Sequence, residues 1–153
     1  MTVTDMRFNY PLQKIVDLKG SEKSMAEWEY AASLGKLRQE EEKMAALVNE
    51  RAEVEQSLER MTLQPTPLSR ITELQQYIEV LDDRMRMQSE DIRSAAMEVE
   101  YRQGRLTGKM IDEKVWLNAR EHALERFKLA WLSREQNELD EIAIVRAGNA
   151  LRA

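Results

Sequence analysis

Two prolines stand one residue apart in the segment Pro65-Thr66-Pro67, and no helix can run through them. Proline removes a backbone donor and clashes with the preceding turn, at about 3 kcal/mol or more inside a helix. The third proline, Pro11, sits where a first helix would begin, a position that tolerates the missing N–H. With only 5 glycines in 153 residues, little else is available to turn the chain. About half of the residues are Ala, Leu, Glu, Lys or Arg, a composition of long helices rather than of a mixed domain. The reading is all-α: two long helices either side of one break.

Heptad spacing turns that reading into a topology. Before the break, one series runs Tyr30, Leu37, Met44, Arg51, Leu58 and its companion runs Ala26, Ser33, Glu40, Leu47, Val54, Met61. After it come Ile71, Ile78, Met85, Ile92, Val99, Leu106, with Leu74, Leu81, Gln88, Ala95, Arg102. Antiparallel helices oppose the two kinds of position. Met61 then meets Ile71, Leu58 meets Leu74, Val54 meets Ile78 and Leu47 meets Met85, every pair equidistant from Thr66. Breaker and seam, read separately, centre the same hairpin.

The expected organisation is a tail over residues 1–10, a first helix over 11–62, a loop over 63–67, a longer helix over 68–147 and a tail over 148–153. At 1.5 Å per residue the helices measure roughly 75 Å and roughly 120 Å, so the arms are unequal. The register also opposes Glu40 with Ile92, Met44 with Gln88 and Arg51 with Leu81. Polar seam residues can specify register, but long side chains snorkelling at the edge of a thin seam are the expected outcome here. Leu12 falls opposite Arg120. Beyond that point Leu124, Phe127, Trp131, Leu132, Leu139, Ile142 and Ile144 are left without a partner in the hairpin. A new seven-residue series, Met110, Leu117, Leu124, Trp131, predicts a stutter near Gly104 and Gly108. Each glycine costs a helix up to about 1 kcal/mol relative to alanine, which marks this stretch as the flexible part.

Chemistry has little vocabulary in this chain. There is no cysteine and a single histidine, His122, without metal-ligand companions at helical spacing. Runs such as Glu40-Glu41-Glu42 and Asp82-Asp83 diverge by about 100° per residue on a helix and form no shared acid–base pair. Phosphate loops and nucleophile motifs are absent. A formal charge of −5, spread over both arms, opposes nucleic-acid binding. No apolar run approaches a membrane span and no signal-peptide core is present, so a cytoplasmic protein is expected. The 9 methionines fit seam filling before a binding surface. The unpartnered apolar overhang is different. A patch of that kind marks an interaction site, unless residues 1–10, with Phe8 and Tyr10, fold over it.

Three stretches carry a family resemblance. Phe8-Asn9-Tyr10-Pro11-Leu12-Gln13-Lys14-Ile15-Val16-Asp17-Leu18-Lys19 resembles the start of the flagellar FliJ family. Gln75-Gln76-Tyr77-Ile78 with Leu81 is similar to its Gln-Gln-aromatic-aliphatic segment, and Glu138-Leu139-Asp140-Glu141-Ile142 to its acidic closing segment. The resemblance implies a non-enzymatic component of the flagellar type III export apparatus, an antiparallel coiled coil similar to the stalk of rotary ATPases. Its implied partners are the hexameric export ATPase, the cytoplasmic domain of the export-gate membrane protein, and export chaperones. Its implied location is the cytoplasmic side of the membrane at the flagellar base, with no cofactor, small-molecule substrate or nucleic acid. Positions matching the family's gate-contacting surface are Tyr77, Leu81, Arg84 and Gln88. The termini-bearing end, with Leu124, Phe127, Trp131, Arg120, Arg126 and Lys128, is the expected ATPase contact. A self-associating structural coiled coil is the alternative.

Overall fold

The computed structural model describes residues 8–152, which form two long helices packed against each other and, among the described residues, no strand. Helix α1 spans Gln13–Thr62 and helix α2 spans Leu68–Arg152. The C-terminal tail expected from residue 148 is instead helical to Arg152. That stretch holds one glycine, Gly148, and no proline, so nothing in it stops a helix already formed.

The turn is built by the residues that announced it. Leu63 N–H donates to the Arg60 carbonyl and Gln64 N–H to that of Met61, closing the last turn of α1. The Pro67 carbonyl accepts from Arg70 N–H at 3.1 Å and opens α2. Thr66, at the centre of the reflection, donates its hydroxyl to the carbonyls of Met61 and Gln64 at 3.0 and 3.1 Å.

The contacts of the described residues divide into two units, Met25–Thr107 and a second that joins residues 8–24 to residues 108–152. In the Met25–Thr107 unit every position of the four heptad series is buried or half-buried. Leu81 is wholly enclosed, and Ala26 and Ala95 are buried. A two-helix seam shields each knob from one side only, so most layers stay half-buried. Ion pairs and hydrogen bonds fix the register: Arg51 donates to Asp82 at 2.6 Å, Arg102 to Glu29 at 2.9 Å, and Tyr77 to Glu50.

Snorkelling describes Arg51, which is half-exposed, but not the other polar seam residues. Glu40 and Gln88 are buried, at 4% and 8% exposure. Gln88 Nε2 donates to the Glu40 carbonyl at 2.8 Å and to its carboxylate at 2.6 Å. Gln88 thus pairs with Glu40 rather than with Met44, one helical turn along. A long amide can bridge layers diagonally, and two polar groups excluded from water satisfy each other best by meeting. Lys36 and Lys43 bond the same carboxylate at 2.9 and 3.2 Å. Chiefly through Lys36 and then Gln88, its pKa is held down at about 2.

In the second unit the expected stutter does not fall near Gly104 and Gly108; of its series, Leu124 and Trp131 are half-buried but Met110 and Leu117 are not. The seam of α2 keeps its heptad through Lys109, Glu113, Trp116, Arg120, Ala123 and Phe127, all half-buried, while Met110 and Leu117 are 51% and 45% exposed. The reason lies in α1, whose facing residues are themselves polar. Lys19 pairs with Asp112 at 2.9 Å, Lys23 with Glu113 at 2.9 Å, and Glu22 with Lys109 at 3.3 Å. Arg120 Nε donates to Gln13 Oε1 at 2.7 Å. Gly20 allows this close approach: a Cβ there would sit 3.1 Å from the Glu113 carboxylate. The charges complement, so an apolar register has nothing to pack on. Among the described residues of this unit, Val16 is buried and apolar.

Candidate functional site

The gate-facing set is divided by the seam. Leu81 and Gln88, expected at the contact surface, are buried between the helices and unavailable to a partner. Heptad geometry requires this, since both are d-type positions. Tyr77 and Arg84 flank the seam, half-buried and exposed respectively. Tyr77 Oη donates to the Glu50 carboxylate, which together with partial burial raises the phenol above its usual pKa. Beside them an open groove of about 460 Å³ is lined by Lys43, Ala46, Leu47, Glu50, Arg84, Met87, Gln88 and Asp91. Met87, 71% exposed, is the apolar feature the heptad count passes over. On α1 the same holds for Trp28, 70% exposed.

At the far end the overhang is partly covered. Phe8 packs on Phe127 with ring centroids 5.4 Å apart and planes tilted by 52°, and stacks on Tyr10 at 6.3 Å. Arg120 lies over the Phe8 ring at 5.4 Å. Phe127 therefore has a partner, as in the alternative that Phe8 and Tyr10 fold over the patch, because the segment before α1 returns along α2. Leu124 and Trp131 are half-buried, and the Trp131 indole donates to Glu135 at 3.0 Å.

Past Trp131 every described residue is exposed. Leu132, Leu139, Ile142, Ile144, Val145 and Leu151 range from 50% to 88%. Lys128, Trp131, Leu139 and Ile142 share one face at helical spacing, whereas Arg126 falls on the opposite side from Lys128. Residues 138–146 border a shallow hollow of about 500 Å³ that includes Glu138, Glu141, Ile142 and Arg146. Among the described residues no acidic or histidine cluster could hold a metal ion, and no helix is long and apolar enough to cross a membrane.

The deciding observation is sequence-wide: the family model described as flagellar FliJ protein matches residues 8–152. The chain belongs to the FliJ family. It is similar to the flagellar FliJ protein of Bacillus subtilis (strain 168), with 24% identity over 139 residues, covering 91% of this chain and 95% of that one. Its fold is similar to the solved structure of CT670 from Chlamydia trachomatis, a proposed YscO homologue, at a TM-score of 0.66 and 21% identity. That match covers 90% of this chain and 94% of the other. Membership in the FliJ family makes this a flagellar, type III export-associated component.

Proposed function

We propose that this FliJ-family chain is a non-catalytic, stalk-like link between the hexameric export ATPase and the cytoplasmic domain of the export gate, and that it assists export chaperones. One observation carries the ATPase half: α2 continues as an exposed helix from Leu132 to Arg152, bearing apolar side chains that are at least half exposed. Exposed apolar residues in such density mark a binding surface. Lys128, Trp131, Leu139 and Ile142 form the central face, with Leu124 at its edge. Phe127 and Arg120 support the site through Phe8, and Arg126 serves the rim. Towards the loop, Tyr77, Arg84 and Met87 form the gate-facing surface. Leu81 and Gln88 hold that surface in place from beneath. Residence at the cytoplasmic side of the membrane follows from those partners.

Mixing the full chain with the cognate export ATPase tests this reading. We expect binding, with increased ring assembly or hydrolysis, and loss of both in Leu139→Glu/Ile142→Glu. The double variant should keep its helical content and melting behaviour, because both side chains are at least half exposed. If the wild-type chain neither binds the ATPase nor changes its assembly or turnover, the stalk reading fails.

A further inference from the structure

The Met25–Thr107 unit buries three polar side chains along its seam, Ser33, Glu40 and Gln88. Ser33 donates its hydroxyl to the Tyr30 carbonyl of the same helix at 2.7 Å, so its bond survives any realignment of α2. Gln88 differs. Its amide donates across the seam, to the carbonyl and the carboxylate of Glu40 at 2.8 and 2.6 Å. Lys36 and Lys43 bond that carboxylate from within α1. Of the three buried groups, Gln88 is the one held wholly from the other helix.

Apolar spacing does not choose the alignment of the two helices. A heptad seam repeats every seven residues, so sliding one helix by seven sets apolar side chains against apolar ones again. One slide pairs Met61 with Ile78, Leu58 with Leu81, Val54 with Met85 and Leu47 with Ile92. The reverse slide pairs Val54 with Ile71, Leu47 with Ile78 and Met44 with Leu81. The turn lies roughly 30 Å along the rod from Gln88, and a loop lengthened by one heptad costs little closure entropy. The cross-helix pairs Arg51–Asp82 and Arg102–Glu29 are partly exposed, where ion pairs contribute little.

Buried polar groups do distinguish the alignments. The first slide sets Glu40 against Ala95 and Val99, and Gln88 against Leu47 and Arg51. The second sets Glu40 against Leu81 and Met85, and Gln88 against Ser33 and Leu37. Neither returns a carboxylate to the Gln88 amide, and in both Glu40 meets only apolar side chains of α2. A buried polar group that loses its partner is penalised more than a paired one is rewarded. We propose that Glu40 and Gln88 form a register lock, selecting one of several alignments that the apolar seam tolerates rather than adding net stability. The lock also positions a surface. Lys43, Leu47 and Glu50 of α1 line the open groove with Arg84, Met87 and Asp91 of α2, and a slide would shift one set past the other by about 10 Å. The lock acts whatever binds there, so it does not rest on the stalk reading.

The cysteine-free chain allows alignment to be read directly. Ala95→Cys should form an intramolecular disulfide with Leu37→Cys in the native alignment, with Met44→Cys after the first slide, and with Tyr30→Cys after the second. While Glu40 and Gln88 are present, mild oxidation of the full chain should link the Leu37→Cys pair and almost none of the other two. Glu40→Leu/Gln88→Leu should raise at least one of the slid links by about tenfold or more, the effect of losing a hydrogen bond to a charged group. The same double variant should melt at the same temperature or higher, because an apolar pair replaces a buried polar one. Links confined to the native pair in the double variant overturn the proposal. Slid links already abundant with the lock intact overturn it too. So does a double variant much less stable than the parent, since the pair would then stabilise rather than select. The ATPase measurement is separate, so either reading can fail without the other.

Discussion

The two units use one heptad to do different chemistry. Between Met25 and Thr107 the seam is mostly apolar, closes on a fully enclosed Leu81, and buries one polar pair, Glu40 with Gln88. In the other unit the same periodicity brings together Lys19 with Asp112, Lys23 with Glu113 and Glu22 with Lys109. Burial of apolar surface is not weakened by charge screening, whereas partly exposed ion pairs are weak and screened. The first unit is accordingly expected to anchor the hairpin, and the second to open at lower cost.

The largest effect should come from the anchor. Leu81→Ala removes the most enclosed side chain and should cost about 2–4 kcal/mol in denaturant unfolding. A cost below that of an exposed leucine would break the contrast between the units. Next is Phe8→Ala, which removes an aromatic contact worth about 0.5–1.5 kcal/mol beyond its buried area. It should speed amide exchange around Phe127 while leaving exchange near Leu81 unchanged.

Gln88→Leu should cost about 1 kcal/mol by leaving Glu40 groups without their buried donor. It should also shift the acid response. The Glu40 carboxyl is held at about 2, below its ordinary 4.5, so the folded state favours its charged form. That contribution is complete above about pH 4.5 and is lost as pH falls through about 2. Removing the Gln88 donor should raise the Glu40 pKa, which side-chain carboxyl titration by NMR reads directly. The smallest effect is expected at the ion pairs. A double-mutant cycle on Lys23 and Glu113 should give a coupling of about 0.2–1 kcal/mol at low salt, fading at high salt. A coupling that persists unchanged in high salt would erase the difference between the units.

Much of the hairpin was legible because proline, helix period and apolar spacing are local properties. Residues 26–61 and 71–106 keep the seam read from their spacing, and the reflection about Thr66 agrees with cross-helix pairs such as Arg51–Asp82 and Glu29–Arg102. The rest was hidden wherever a position's fate depended on its partner. Met110 and Leu117 advertise a new apolar series, but the helix facing them offers Lys19, Glu22 and Lys23. Glu40 and Gln88 looked like edge residues because neither reveals alone that it can satisfy the other. Half of the gate-facing candidates lie under the surface for the same reason.

The sequence by itself determined that the chain is two helices, where it turns, and which residues line most of the seam. Stereochemistry at Pro65 and Pro67 and the fixed period of the helix leave no alternative. Tertiary structure alone decided that Gln88 closes on Glu40, that Phe8 rather than open solvent meets Phe127, and that ion pairs to Lys19, Glu22 and Lys23 enter the seam past Leu106. Each depends on complementarity between groups distant in the chain, and neither member of such a pair encodes it alone.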